Sequence, residues 1–181
     1  AMKVYDEKHI KNVVLLGAPK SGKTLLSEDM LFEGGIIHRR GTIEGKSTVS
    51  DYHEIEQERG NSVFATVLHS EWRDYKINII DTPGFDDFAG EMISSIRVAD
   101  TCVITINAQY GVEVSRELIW NYVDRFAKPV IFAINQVDHP KSDFDSALAS
   151  IKQRFGNAVT QMQYPVNQGE GFNGIIDLLK M

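Results

Sequence analysis

The chain has 181 residues, enough at about 150 per domain for one domain with a full hydrophobic core. Its apolar share of 43% and charged share of 24% are those of an ordinary globular protein, and no apolar run approaches the length of a membrane span. A net charge of −6, from 25 acidic against 19 basic residues, argues against a domain that binds nucleic acid independently, because neutralising phosphates needs a Lys/Arg surplus. Cys102 is the single cysteine, so no internal disulfide can form and a reducing, cytoplasmic setting is expected. The first residues, AMKVYDEKHIKN, lack the apolar stretch of a secretory signal. Ala1 ahead of Met2 reads as a residue added in cloning, and the chain as a fragment of something larger.

In chain order, Asn12 to Leu16 is a short apolar run that predicts a buried strand ending at Gly17. Gly22 to Phe32 carries Leu25, Leu26, Met30 and Leu31 at helical spacing, stopped by Gly34-Gly35. Ile36 to Asn61 has no period and predicts a long exposed loop, a length that usually signals function. Ser62 to Trp72 and Tyr75 to Ile80 predict an antiparallel pair turning at Arg73-Asp74. Glu91 to Val98 reads as helix, Thr101 to Ile106 as strand, Val114 to Phe126 as helix and Val130 to Ile134 as strand. Phe144 to Phe155 and a final segment, Asn173 to Leu179, both have helical spacing. The alternation predicts an α/β fold of three layers, with a mostly parallel central sheet and one antiparallel strand.

Gly17-Ala18-Pro19-Lys20-Ser21-Gly22-Lys23-Thr24 fits GxxxxGK[ST], between a predicted strand and a predicted helix. Glycines let backbone N–H groups close around phosphate oxygens, and the helix N-terminus adds partial positive charge. In that reading Lys23 reaches the β- and γ-phosphates and the Thr24 hydroxyl meets Mg2+. The plainer alternative is a glycine-rich turn with a surface lysine.

Two weaker motifs follow. Asp81-Thr82-Pro83-Gly84 comes after a predicted strand, so Asp81 is a candidate magnesium acid and Gly84 a candidate γ-phosphate sensor. Asn135-Gln136-Val137-Asp138 also follows a strand. The Asp138 carboxylate can accept from the N1–H and N2–H2 of guanine, a donor pair that adenine lacks; its plainer alternative is a helix cap. The order of the three motifs, each after a buried strand, points to a P-loop fold that binds GTP and GDP with Mg2+. A P-loop kinase would instead prefer ATP and carry an arginine-rich lid, which is not evident.

With these motifs in order, the sequence resembles the translational GTPases, most closely the elongation factor G family. DYHEIEQERGNSV resembles that family's segment ending in ERGIT, and DTPGFDDFAGE its DTPGHVDFxxE. ADTCVITINAQYGVEVSRELIW resembles ADGAVLVxDAxxGVxxQTxxxW, and PVNQGEGFNGIIDLLKM the approach to an inserted subdomain. Release factor three and the ribosomal protection proteins share much of this pattern. The resemblance implies that Gly17 through Thr24 form the phosphate loop and that Ser62 takes the place of the first switch's magnesium-binding threonine. It implies that Asp81 and Gly84 serve the second switch, and that Asn135, Gln136 and Asp138 meet guanine. Gln136 stands where the family has a lysine whose alkyl chain covers the base. The resemblance also implies that residues 1–181 are an N-terminal GTP-binding domain, cut before the inserted subdomain and the last guanine-binding motif. The partner would be the ribosome, engaged through the full-length protein.

Three departures concern hydrolysis. Phe85 replaces the histidine that orients the attacking water, and a benzyl group neither donates nor accepts a hydrogen bond. Asn61 replaces an apolar gating residue, and Lys20 a phosphate-loop aspartate. These favour slow or absent hydrolysis, so no catalytic residue is assigned. The alternative is a fully active GTPase in which Asp86 or Asp87 orients the water or Lys20 assists. The five histidines lack metal-ligand spacing, Cys102 reads as a small core residue, and Trp120 and Phe126 as core aromatics. Arg39 and Arg40 are equally readable as RNA contacts or as solvated surface. Glu54, Glu56 and Glu58 read as solvated.

Overall fold

The computed structural model describes residues 3–50, 64–84, 89–112 and 117–180. Five strands form one sheet: β1 (Ile10–Gly17), β2 (Thr66–Trp72), β3 (Tyr75–Asp81), β4 (Thr101–Asn107) and β5 (Val130–Asn135). Their order is β2-β3-β1-β4-β5, and every pairing is parallel except β2 with β3. Among the described residues four α-helices accompany it: α1 (Lys23–Glu33), α2 (Ala89–Val98), α3 (Glu117–Arg125) and α4 (Phe144–Phe155). The expected architecture is therefore present.

Strand periodicity explains the layering. In β1, Val13 and Leu15 point to one face and Val14 and Leu16 to the other, so a central strand must be apolar throughout. Leu15, Leu68 and Ile79 pack with Leu31 of α1. Val14, Leu16, Ile80, Cys102, Ile104 and Ile106 pack with Met92 and Ile96 of α2, Ile119 and Val123 of α3, and Ile151 of α4. Trp120 and Phe126 are partly buried against this second cluster, in agreement with their reading as core. At the sheet edge β2 alternates, with Leu68 and Ser70 buried and Val67 and His69 exposed. Arg73 (φ 46°) and Asp74 (φ 67°) join it to β3 in the double left-handed turn that suits a two-residue hairpin.

Two expectations are corrected. The final segment is a strand, β7 (Gly174–Asp177), paired antiparallel with β6 (Gln163–Val166). Ile175, Ile176, Leu178 and Leu179 mimic a helical stripe, but the stretch is short and β-branched. The left-handed Asn167 and Gly169 turn the chain into a hairpin before it. The loop after α1 is not simply exposed either: Gly41, Thr48 and Ser50 are buried. Among the described residues no helix is long and apolar enough to cross a membrane.

Cys102 has no accessible surface, and burial pushes its thiol up to about 11. Because the thiolate is the reactive form, a disulfide reagent at pH 8 should leave Cys102 unmodified in the folded chain and label it fully in denaturant. Rapid labelling without denaturant would contradict this packing.

Candidate nucleotide site

The sequence motifs converge at the carboxyl ends of the parallel strands. Register sets Leu15 beside Asp81, Gly17 beside Thr105 and Asn107 beside Asn135, so β1, β3, β4 and β5 deliver their terminal residues to one edge. The chain leaves β1 for the β2–β3 side and then crosses to β4, which makes this edge a topological switch point where α/β ligands bind.

At its centre is the turn from β1 into α1. Gly22 caps α1 in the left-handed conformation (φ 91°) and offers no side-chain cap. The first N–H groups of the helix then lack the usual capping oxygen, which is the arrangement that receives an anion. A methyl group on Gly22 would come within 2.2 Å of the Asn135 side-chain nitrogen, so only glycine fits between helix and β5. Lys23 is buried, and its ammonium donates to the carbonyls of Gly17 and Ala18 at 3.0 Å each. Thr105 Oγ1 donates to the Leu16 carbonyl at 3.1 Å and therefore accepts from Ser21 Oγ at 2.6 Å. Asn135 Nδ2 donates to the Ser21 carbonyl at 3.1 Å, and Gln136 Nε2 to that of Lys20 at 3.0 Å. Pro19 and Lys20 are exposed on the loop's outer side, Lys20 with φ 61°.

Beside this loop stand Thr24 and Asp81, both buried. Thr82 donates its hydroxyl to the Leu15 carbonyl at 2.6 Å, which ties the start of the second motif to β1. Gly84 lies so close to Pro19 that a Cβ would meet the proline ring at 2.7 Å. Ser50 Oγ donates to Asp81 Oδ2 at 2.7 Å, and the Ser50 carbonyl accepts from Thr66 Oγ1 at 3.1 Å. Glu28, with 1% of its surface exposed, accepts from the backbone N–H of Gly41 at 2.8 Å and of Val49 at 2.5 Å. The carboxylate on α1 thus holds the loop that carries Ser50 to Asp81. Sequence reasoning missed both Glu28 and Ser50. A signal for Glu28 existed, because it shares a helical face with Thr24, Ser27 and Leu31, and an acid on a buried stripe needs partners.

The hydroxyl of Thr24 and the carboxylate of Asp81 are both oxygen donors. Among the described residues no cluster of three or more His, Cys, Asp or Glu could hold a metal. Magnesium suits such a site, since it is usually held by one or two protein oxygens plus substrate phosphates and water.

Past β5, Gln136 (φ 61°) begins a turn in which its carbonyl accepts from His139 N at 3.2 Å. The Val137 carbonyl accepts from Gly169 N at 2.7 Å and Ser142 Oγ at 2.8 Å. This leaves Asp138 exposed at the edge, with its carboxylate open to solvent. Asn61, Ser62, Phe85, Asp86 and Asp87 lie outside the described residues, as do Glu54, Glu56 and Glu58.

Fold and site together define a P-loop nucleotide-binding α/β domain. Residues 8–179 match the family described as elongation factor Tu GTP binding domain, and the chain belongs to that family. It is 36% identical over 172 residues to an elongation factor G-like protein of Thermotoga maritima, covering 95% of this chain and 24% of that one. It is 37% identical to elongation factor G 2 of Streptomyces coelicolor, with 95% and 25% covered. A crystal structure from Thermus thermophilus superposes with a TM-score of 0.87 at 28% identity, covering 93% of this chain and 25% of that one. The chain spans about a quarter of the length of the curated relatives it matches.

Glu28→Ala removes the acceptor of two backbone N–H groups, so it should cost about 2–4 kcal/mol in urea unfolding. Hydrogen exchange should lose protection at Gly41 and Val49 first. Unchanged protection at both amides would contradict the anchoring role.

Proposed function

We propose that this chain binds GTP and GDP with Mg2+ at the strand ends, as the N-terminal domain of a larger translation factor that acts on the ribosome. We further propose that it hydrolyses GTP slowly. The observation that carries the binding proposal is the convergence of three motifs on one sheet edge around an uncapped helix start. In this reading the loop from Gly17 to Thr24, including Ala18, Pro19, Lys20 and Ser21, wraps the phosphates. Lys23 exchanges its two carbonyl partners for β- and γ-phosphate oxygens. Thr24, Asp81 and Ser62 hold Mg2+, which when bound neutralises phosphate charge. Gly84 offers its N–H to the γ-phosphate, and Asn135, Gln136 and Asp138 serve the base.

Slow hydrolysis rests on residue chemistry at position 85. Catalysis of phosphoryl transfer is mostly positioning and charge stabilisation. Phe85 can do neither for a water molecule, whereas binding does not depend on it. Nucleotide occupancy alone would then set the active shape. Ribosomal contacts would be shared with domains beyond this one, which is compatible with the acidic balance of the chain.

Single-turnover GTP cleavage by the full-length protein with ribosomes tests the proposal. The rate should lie well below that of an elongation factor bearing the histidine, and Phe85→His should raise it about 100-fold or more. Elongation-factor-like rates in the unaltered protein would overturn it.

A further inference from the structure

Asn107 closes β4 and is 8% exposed, beside the site yet in none of its motifs. Parallel register pairs it with Asn135, which brings it against the next residue, Gln136. Its Nδ2 donates to Gln136 Oε1 in a short hydrogen bond, and its Oδ1 accepts from Gln109 N at 2.8 Å. Gln136 in turn donates Nε2 to the Lys20 carbonyl. The relay has one polarity. A carbonyl at one end can only accept and a backbone N–H at the other can only donate, so neither amide can flip without opposing like groups.

Lys20 and Gln136, at the two ends of the link to the phosphate loop, both have left-handed backbone, which non-glycine residues adopt at a cost. Such conformations persist where neighbours over-determine them. The amide relay supplies that constraint. It joins the loops after β1, β4 and β5 without a charged group.

We propose that Asn107 is a positioning residue of the nucleotide site, which fixes Gln136 and through it the Lys20 carbonyl of the phosphate loop. This inference rests on the guanine-nucleotide reading above. Asn107→Asp keeps the shape but removes the donor. Gln136 must then turn Nε2 to the carboxylate and present Oε1 to the Lys20 carbonyl, which breaks the link.

The test is stopped-flow release of a fluorescent GDP from this chain. Asn107→Asp and Gln136→Ala should each speed release about 10-fold, the loss of roughly one hydrogen bond. The double variant N107D/Q136A should be no faster than either alone, because both cut one link. In N107D/Q136K the ammonium can donate to both the carboxylate and the Lys20 carbonyl, and release should return to within about 2-fold of the unaltered rate. Additive effects, or no rescue by Gln136→Lys, would overturn the inference while leaving the site reading intact. Absence of GDP binding by the unaltered chain would overturn both.

Discussion

The phosphate loop is held from outside by the end of β5. Asn135 and Gln136 take the carbonyls of Ser21 and Lys20, and the helix start at Gly22 is shaped to admit the Asn135 amide. Asn135 is itself fixed in the sheet, where its carbonyl accepts from Ala108 N at 2.9 Å. The curvature of the loop therefore follows from the parallel register of β1, β4 and β5. One consequence is that the loop from Gly17 to Thr24 and the turn after β5 form a single hydrogen-bonded unit rather than two loops that happen to be near. A nucleotide that bridges them would meet a preorganised surface, which lowers the entropy lost on binding.

Three charged side chains are buried around that unit, Lys23, Glu28 and Asp81. Their hydrogen-bond partners include two carbonyls for Lys23, two N–H groups for Glu28 and a serine hydroxyl for Asp81. For Glu28 the arrangement is structural, since its oxygens secure the loop leading to Ser50. The overall acidity of the chain says little about this local balance, because screening confines surface charges to about 10 Å.

Much of this was legible in the sequence. The apolar runs at β1 and β4 are buried on both faces and could scarcely be anything else, β5 keeps its apolar run at the partly exposed sheet edge, and α4 matches its periodic segment from Phe144 to Phe155. The GxxxxGK[ST] match stood out because its residues are contiguous and each suits a distinct chemical task. β7 was misread because isoleucines and leucines in a short segment satisfy helical and strand periods alike. Asn107, Ser50 and Glu28 were invisible for a different reason. Their partners lie 29, 31 and 13 or 21 residues away, and only sheet register and loop closure bring them together. A lone asparagine at a strand end has no spacing to recognise.

The central claim is that this strand edge selects a guanine nucleotide. Competition titration of the chain with GDP, GTP and ATP in Mg2+ measures it directly. The account predicts that GDP and GTP compete for one site and that ATP fails to displace either at 100-fold excess, a selectivity lost in Asp138→Asn. Equal competition by ATP, or an Asp138→Asn variant as selective as the unaltered chain, would contradict it.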